Sequence, residues 1–322
     1  NEELITLKRK LESDFTEFKN RNLTLDMSRG KPSTDQLDLS KGMLESLKSD
    51  DYISEDGTDC RNYGILDGIK EAKQMFSQML DVSTKEIIIG GNSSLNLMYD
   101  IIARAMIFGV LDSEKPWGKY DKIKFLAPSP GYDRHFAICE HFGIEMITIE
   151  LNDDGPDMDR IEELVRTDET IKGIWCVPKY SNPDGITYSD EVVHRFANLR
   201  PAAKDFRIFW DNAYCVHDLT DNPDKLLNLL DECKKNGNDN MPLMFASTAK
   251  ISFAGSGIAM VAASEDNINF IKKQMSIQTI GSDKINQLRH VRFFGDFNGI
   301  LEHMKKHRSI IAPKFDVVIG ML

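Results

Sequence analysis

Residues 207–214 read RIFWDNAY and residues 243–250 read LMFASTAK. Each is a short, continuous apolar run that stops at polar groups, Asp211-Asn212 in the first and Ser247-Thr248-Ala249-Lys250 in the second. Runs of this kind suit strands covered on both faces. Working outward, KEIIIGG (85–91), KIKFLAPS (122–129), EMITIEL (145–151), KGIWCVP (172–178) and GIAMVAAS (257–264) have the same character. Between several of them lie SLNLMYDIIARAMIFGVL, DRHFAICEHFG, DMDRIEELVRT and YSDEVVHRFANLR, which carry helical periodicity. Strands alternating with helices predict an α/β fold built on a mostly parallel, seven-stranded sheet.

The chain has 322 residues, with 40 Lys+Arg against 51 Asp+Glu, a formal charge of -11, 41% hydrophobic and 28% charged residues. That is a globular composition. An acidic balance with interspersed positive charges argues against nucleic acid as a partner. No apolar run reaches spanning length, so no membrane helix is expected. The five cysteines, at 60, 139, 176, 215 and 233, include no Cys-x-x-Cys pair, which fits reduced thiols and a cytoplasmic location. The first stretch, EELITLKRKLESDFTEF, reads as a charged amphipathic helix and not as a secretory leader. LDMSRGKPSTDQLDLS after it reads as an extended arm. The expected organisation is an amino-terminal helix and arm over 1–49, a large sheet domain over 50–290, and a connecting helix at 291–322 leading to a smaller second domain that is largely missing.

In an open α/β sheet, ligands lie outside the carboxyl ends of the strands. The groups found there are Gly90-Gly91-Asn92-Ser93-Ser94, Pro128-Ser129-Pro130-Gly131-Tyr132, Pro178 through Gly185, Asp211-Asn212-Ala213-Tyr214, and Ser247 through Lys250. Gly91-Asn92-Ser93-Ser94 opens a helix and suits an anion, although Ser and Asn there also serve as ordinary helix caps. A lysine at the rim of a buried strand is a candidate amine nucleophile, and its plain alternative is a surface lysine. Asp211 stands among bulky apolar neighbours, so its carboxylate needs a partner; a turn-capping role is the alternative. His303 and His307 have a metal-compatible i, i+4 spacing, but no third ligand is nearby and a solvated helix face is expected, with no metal site.

Taken together, an anion loop, an aromatic strand-end loop, Asn-Pro-x-Gly, Asp-x-x-Tyr and Ser-x-x-Lys resemble the fold-type-I aminotransferases that use pyridoxal 5'-phosphate. The strings DMSRGKPSTDQLDLS, NYGILDGIKEAKQMF, SPGYDRHFAI, PKYSNPDGITYSDE, WDNAYCVHDL, STAKISFAGSG and DKINQLRHVRFF are similar to the MocR-like aspartate aminotransferase family, from about residue 20 onward. The resemblance implies that Lys250 forms the Schiff base with the cofactor and later carries the proton. It implies that Asp211 pairs with the pyridine nitrogen, that Asn182 and Tyr214 bond the 3'-oxygen, and that Tyr132 stacks on the ring. Gly91, Asn92, Ser93, Ser247 and Ser256 would hold the phosphate. Tyr63 would reach the opposite subunit's phosphate in a homodimer with shared sites, and Gly30 would border the substrate carboxylate.

There are two departures from the family pattern. No arginine occurs between Arg207 and Arg289, so the usual phosphate arginine after the lysine is missing. The arginine that takes the substrate α-carboxylate is expected beyond Leu322. The implied activity is amino-group transfer between aspartate or glutamate and a 2-oxo acid, 2-oxoglutarate or oxaloacetate, with Arg289 as a candidate cation for the substrate side chain. The alternatives are a β-lyase or decarboxylase on the same scaffold, and a noncatalytic cofactor-binding regulatory module.

Overall fold

The computed structural model describes residues 2–24 and 30–321. They form two compact units that divide between Ser33 and Thr34. The first holds helix α1 (Glu2–Asn20), which buries none of its residues. The first five residues of the predicted arm, 25–29, lie outside the described residues, and Thr34–Asp38 of that arm is a short helix instead of extended chain.

The second unit begins with α2 (Thr34–Asp38) and α3 (Lys70–Leu80) and then alternates strands and helices. In chain order these are β1 (Ile87–Ile89), α4 (Ser94–Phe108), β2 (Lys124–Ser129), α5 (Asp133–Phe142), β3 (Glu145–Asn152), β4 (Gly155–Pro156), α6 (Met158–Thr167), β5 (Ile171–Cys176), α7 (Asp190–Ala197), β6 (Arg207–Asp211), α8 (Leu229–Lys235), β7 (Pro242–Ser247) and β8 (Ala259–Ala262). Helices α9 (Glu265–Gln278), α10 (Lys284–Phe294) and α11 (Phe297–Met321) follow.

All seven apolar runs become strands, and the two-residue β4 makes an eighth, in the order β1-β8-β7-β6-β5-β2-β3-β4. The pairs from β7 through β3 are parallel, whereas β8 runs antiparallel to both β1 and β7. Every residue of β5 and β6 is buried, as expected of central parallel strands covered by helices on both sides. One apolar core, including Phe76, Phe196 and Trp210, lies on one face, and a second, including Trp117, Phe125 and Phe245, lies on the other. Burying each such ring is worth roughly 1.5–3 kcal/mol, which fixes the strands and so the loops at their carboxyl ends.

Candidate active site

The carboxyl ends of β2, β5, β6 and β7 open into one cleft. Its walls include Ser93, Ser94, Tyr132, Asn182, Asp211, Tyr214, Ser247 and Lys250. Seven of the residues singled out in the sequence therefore meet, although they span more than 150 positions of chain.

Asp211 ends β6 and is 4% exposed. His135 of α5 brings Nε2 to 3.1 Å from its Oδ2, and the imidazole stacks on Trp175 at 4.5 Å between ring centroids. The other oxygen, Oδ1, is buried with no hydrogen-bond partner among the described residues. A buried carboxylate oxygen left unpaired is costly, so the geometry suits a cationic N–H donor arriving from the cleft. Sequence reading missed His135. Its only signal was a histidine on the apolar face of DRHFAICEHFG.

Lys250 follows β7 in a tight turn, where Nζ donates to Tyr214 Oη at 2.7 Å and lies 4.1 Å from the centre of the Tyr214 ring. Tyr132 sits at the start of α5 with its ring edge-on to His135. Desolvation, with the nearby Asp211 charge second, pushes the Tyr132 phenol above its usual range, so it is a neutral, half-buried aromatic wall.

At the far end, Ser93 precedes α4 in extended conformation, and its hydroxyl makes no capping bond to the helix. The ordinary-cap reading thus fails for Ser93, and the first N–H groups of α4 stay available at the positive end of the helix. Gly91 O accepts from Ala259 N–H at 2.8 Å, and the Asn92 amide approaches Gly255 O at 3.4 Å. Gly257 allows a close approach here. A Cβ on it would stand 3.0 Å from Ala249 N and 3.1 Å from Thr248 Oγ1, so the 255–257 loop packs directly against the lysine turn. Ser256 Oγ accepts from Arg289 Nη2 at 2.7 Å. Ser256 and Arg289 are thus coupled beside the cleft and not on its wall.

Several expected groups lie elsewhere. Lys179 at the end of β5 is taken up by Asp218 at 2.7 Å and Cys215 O at 3.2 Å. Tyr63 is 81% exposed and lines a separate surface groove with Ile280, Lys284 and Ile285, where Lys284 Nζ donates to Gly64 O at 2.9 Å. Gly30 is exposed in the first unit. The solvated face expected for His303 and His307 is wrong: they are 4% and 1% exposed, because both rings turn inward to a backbone carbonyl instead of outward to water.

The family model for aspartate amino-transferase matches residues 1–322. A putative aminotransferase of Mycolicibacterium smegmatis is 49% identical over 312 residues, 96% of this chain and 73% of that protein. The aspartate aminotransferase of Corynebacterium glutamicum is 44% identical over 308 residues, covering 96% of this chain and 71% of the relative. The crystal structure of an aspartate transaminase from Corynebacterium glutamicum matches with a TM-score of 0.97 at 43% identity, over 100% of this chain and 76% of that one. The α-aminoadipate aminotransferase of Thermus thermophilus, at 14% identity and a TM-score of 0.71, shares the fold. The chain belongs to the aspartate aminotransferase family. It is a fold-type-I aminotransferase dependent on pyridoxal phosphate.

Proposed function

We propose that this aminotransferase moves the amino group of an acidic amino acid, aspartate or glutamate, to a 2-oxo acid such as 2-oxoglutarate or oxaloacetate. The observation that carries the site assignment is the pairing, across one cleft, of the Lys250 amine on Tyr214 with the unpartnered Oδ1 of Asp211. Pyridoxal 5'-phosphate supplies an aldehyde and a ring that accepts electrons from the substrate α-carbon. The residues fit that group: an amine for the aldehyde, a buried carboxylate for the pyridinium nitrogen, and a helix start for the phosphate.

In this reading Lys250 holds the cofactor and then shuttles the proton at the substrate α-carbon, with Tyr214 orienting its amine. Asp211, held by His135, keeps the ring nitrogen charged. Asn182 and Tyr214 donate toward the ring oxygen, and Tyr132 covers the ring face. Gly91, Asn92, Ser93, Ser247 and Ser256 surround the phosphate. Arg289 is the candidate for the acidic side chain.

The protein acts as a homodimer in which Tyr63 completes the partner's site. This assignment is supported by the exposure of Tyr63 and by its setting in a groove with the exposed Ile280 and Ile285. No helix among the described residues is long and apolar enough to cross a membrane.

The test is the visible absorption spectrum of the cofactor-loaded protein before and after L-aspartate. A shift from the aldehyde form to the amine form of the cofactor, reversed by 2-oxoglutarate, is expected. Release of free ammonia or carbon dioxide without that reversal would replace transamination by lyase or decarboxylase chemistry.

A further inference from the structure

Helix α11 meets the turn that carries Lys250 at one backbone atom. The carbonyl oxygen of Ile251 lies 2.9 Å from His303 Nε2 and 3.0 Å from His307 Nε2. Ile251 is 0% exposed. The turn closes through Ile251 N–H and Ser252 N–H, which both donate to Thr248 O, at 2.9 and 2.8 Å; among the described residues no backbone N–H reaches the Ile251 carbonyl. Left unmet in the interior, that oxygen would cost about 1–3 kcal/mol. Two imidazole Nε2 atoms one helical turn apart stand within hydrogen-bond reach of it.

For His307 the partners suit one tautomer. The Gln36 amide faces His307 Nδ1 at 3.4 Å, which makes Nδ1 the acceptor and puts the hydrogen on Nε2. Ser40 Oγ stands 3.3 Å from His303 Nε2, and the two Nε2 atoms are 3.2 Å apart, both aimed at the same oxygen. Burial holds both rings neutral, with His303 lowered to about 4 by desolvation and then by His307. From α10, His290 faces the other side of the turn, with Nε2 at 3.1 Å from Thr248 Oγ1 and 3.0 Å from Ser252 Oγ.

We propose that His303 and His307 are positioning residues for Lys250. By fixing the direction of the Ile251 carbonyl they fix the Ile251–Ser252 peptide, one residue beyond the lysine, and so aim Nζ at Tyr214 and the cleft. Hydrophobic side chains would fill this space without desolvating two imidazoles; what they cannot do is orient one carbonyl. The lever is long. A rotation of roughly 10° at the backbone moves the end of a lysine side chain by about 1 Å, a displacement worth about a hundredfold in rate where a reacting group is concerned. The proposal rests on the assignment of Lys250 as the cofactor-binding lysine.

The experiment compares two double variants of the full chain, His303→Leu/His307→Leu, which removes both donors, and His303→Gln/His307→Gln, which supplies amide N–H donors in their place. Two quantities are read: hydrogen exchange at amides 248–252 without cofactor, and the rate at which pyridoxal 5'-phosphate is captured at Lys250, trapped by borohydride and quantified by peptide mass spectrometry. In the leucine pair, exchange at 248–252 is expected to rise and capture to slow by about tenfold each, with exchange in β2 and β5 unchanged. The glutamine pair is expected to stay within about threefold of wild type on both.

Wild-type exchange and capture in the leucine pair, or a glutamine pair as impaired as the leucine pair, would overturn the proposal. If the leucine pair does not fold, the single His303→Leu and His307→Leu variants carry the same comparison. Wild-type protein labelled at a lysine other than Lys250 would sink the cofactor assignment instead, and the exchange measurement, which needs no cofactor, would still judge the histidines.

Discussion

One aspartate precedes strand β6 and another ends it, and the two are almost equally buried, Asp205 at 3% and Asp211 at 4% exposure. At the amino end of the sheet, Asp205 is fully satisfied. Lys172 Nζ reaches Oδ1 at 2.7 Å, and Ser113 Oγ and Trp117 Nε1 reach Oδ2 at 2.8 and 2.9 Å. Desolvation opposes its ionisation, but these donors outweigh it and hold the carboxyl below its usual range. At the carboxyl end, Asp211 has one oxygen on His135 and the other without a hydrogen-bond partner among the described residues. Burial alone therefore does not mark a functional carboxylate. What marks Asp211 is burial with an unmet oxygen facing a cleft, on the side of the sheet where Lys250 also points.

The largest effect expected at the carboxyl end is from Lys250→Ala, which removes the only amine on the cleft wall among the described residues. Turnover should fall by ~1000-fold or more, with the unfolding midpoint near that of wild type. Borohydride reduction checks the assignment directly, since cofactor label on any other lysine in the wild type would contradict it.

The two aspartates can then be set against each other. Asp211→Asn should lower turnover by roughly a hundredfold while leaving stability nearly unchanged or improved, because it removes a charge that lacks a full set of partners. Asp205→Asn should do the reverse: it strands the 4%-exposed Lys172 ammonium, at a cost of about 3–5 kcal/mol, with the folded fraction still active. Urea titrations and single-turnover rates on both variants decide the matter. An Asp211→Asn enzyme with an unchanged single-turnover rate would erase the distinction.

The sequence made the Asp211 end legible and left the Asp205 end, and the histidines, unread. Asp211, Tyr214, Ser247 and Lys250 stand immediately after apolar runs, and the fold class alone says that strand ends face the ligand. His135 reaches Asp211 across 76 positions, and Ser40 reaches His303 across 263. Such pairings follow from packing and leave no local pattern, so an i, i+4 histidine pair read as solvent-facing proves to face a carbonyl. The strand count was short by β4, whose two residues carry no periodicity. Arg289 was visible as a residue type, but its tie to Ser256 was not.

Those buried histidines predict a pH response. Desolvation lowers His217 to about 3, with Lys250 adding to it, lowers His290 and His303 to about 4, and lowers His307. In the unfolded chain each binds its proton near pH 6.5. The unfolded state therefore holds more protons below that pH, so stability is fully present above about 6.5 and is lost as pH falls toward 4. Each ring contributes up to about 1.4 kcal/mol per pH unit. Urea midpoints at pH 7, 6 and 5 should fall accordingly, and His303→Gln/His307→Gln should flatten the slope. A midpoint constant over that range would contradict neutral burial of these rings.

Tyr63 tests whether the cleft is finished by a second copy. With Tyr63→Ala and Lys250→Ala each inactive or impaired alone, a mixed dimer of the two holds one site with both lesions and one with neither. Mixing should therefore restore up to about half of wild-type activity per mixed dimer. Activity that never exceeds the sum of the parents would place Tyr63 outside the partner's site.

The smallest effect, and the finest distinction, concerns Arg289. Its guanidinium has no carboxylate partner among the described residues, its Nε is buried without a hydrogen-bond partner, and its Nη2 is spent on Ser256 and Asn286. An arginine so placed is held by neutral partners only, and a guanidinium without a carboxylate is a ready donor to an oxyanion. With a net charge of -11, the protein offers a dicarboxylate no long-range attraction, so selection for acidic substrates has to come from local cations. Arg289→Ala should therefore lower kcat/KM for aspartate by about tenfold while changing alanine by less than about twofold, since a charge-assisted contact is worth about 1.5–3 kcal/mol before the cost of ordering the side chain. Equal losses for the two donors, together with weaker retention of pyridoxal 5'-phosphate on dialysis, would move Arg289 from the substrate to the cofactor phosphate, the direction in which its bond to Ser256 already leads.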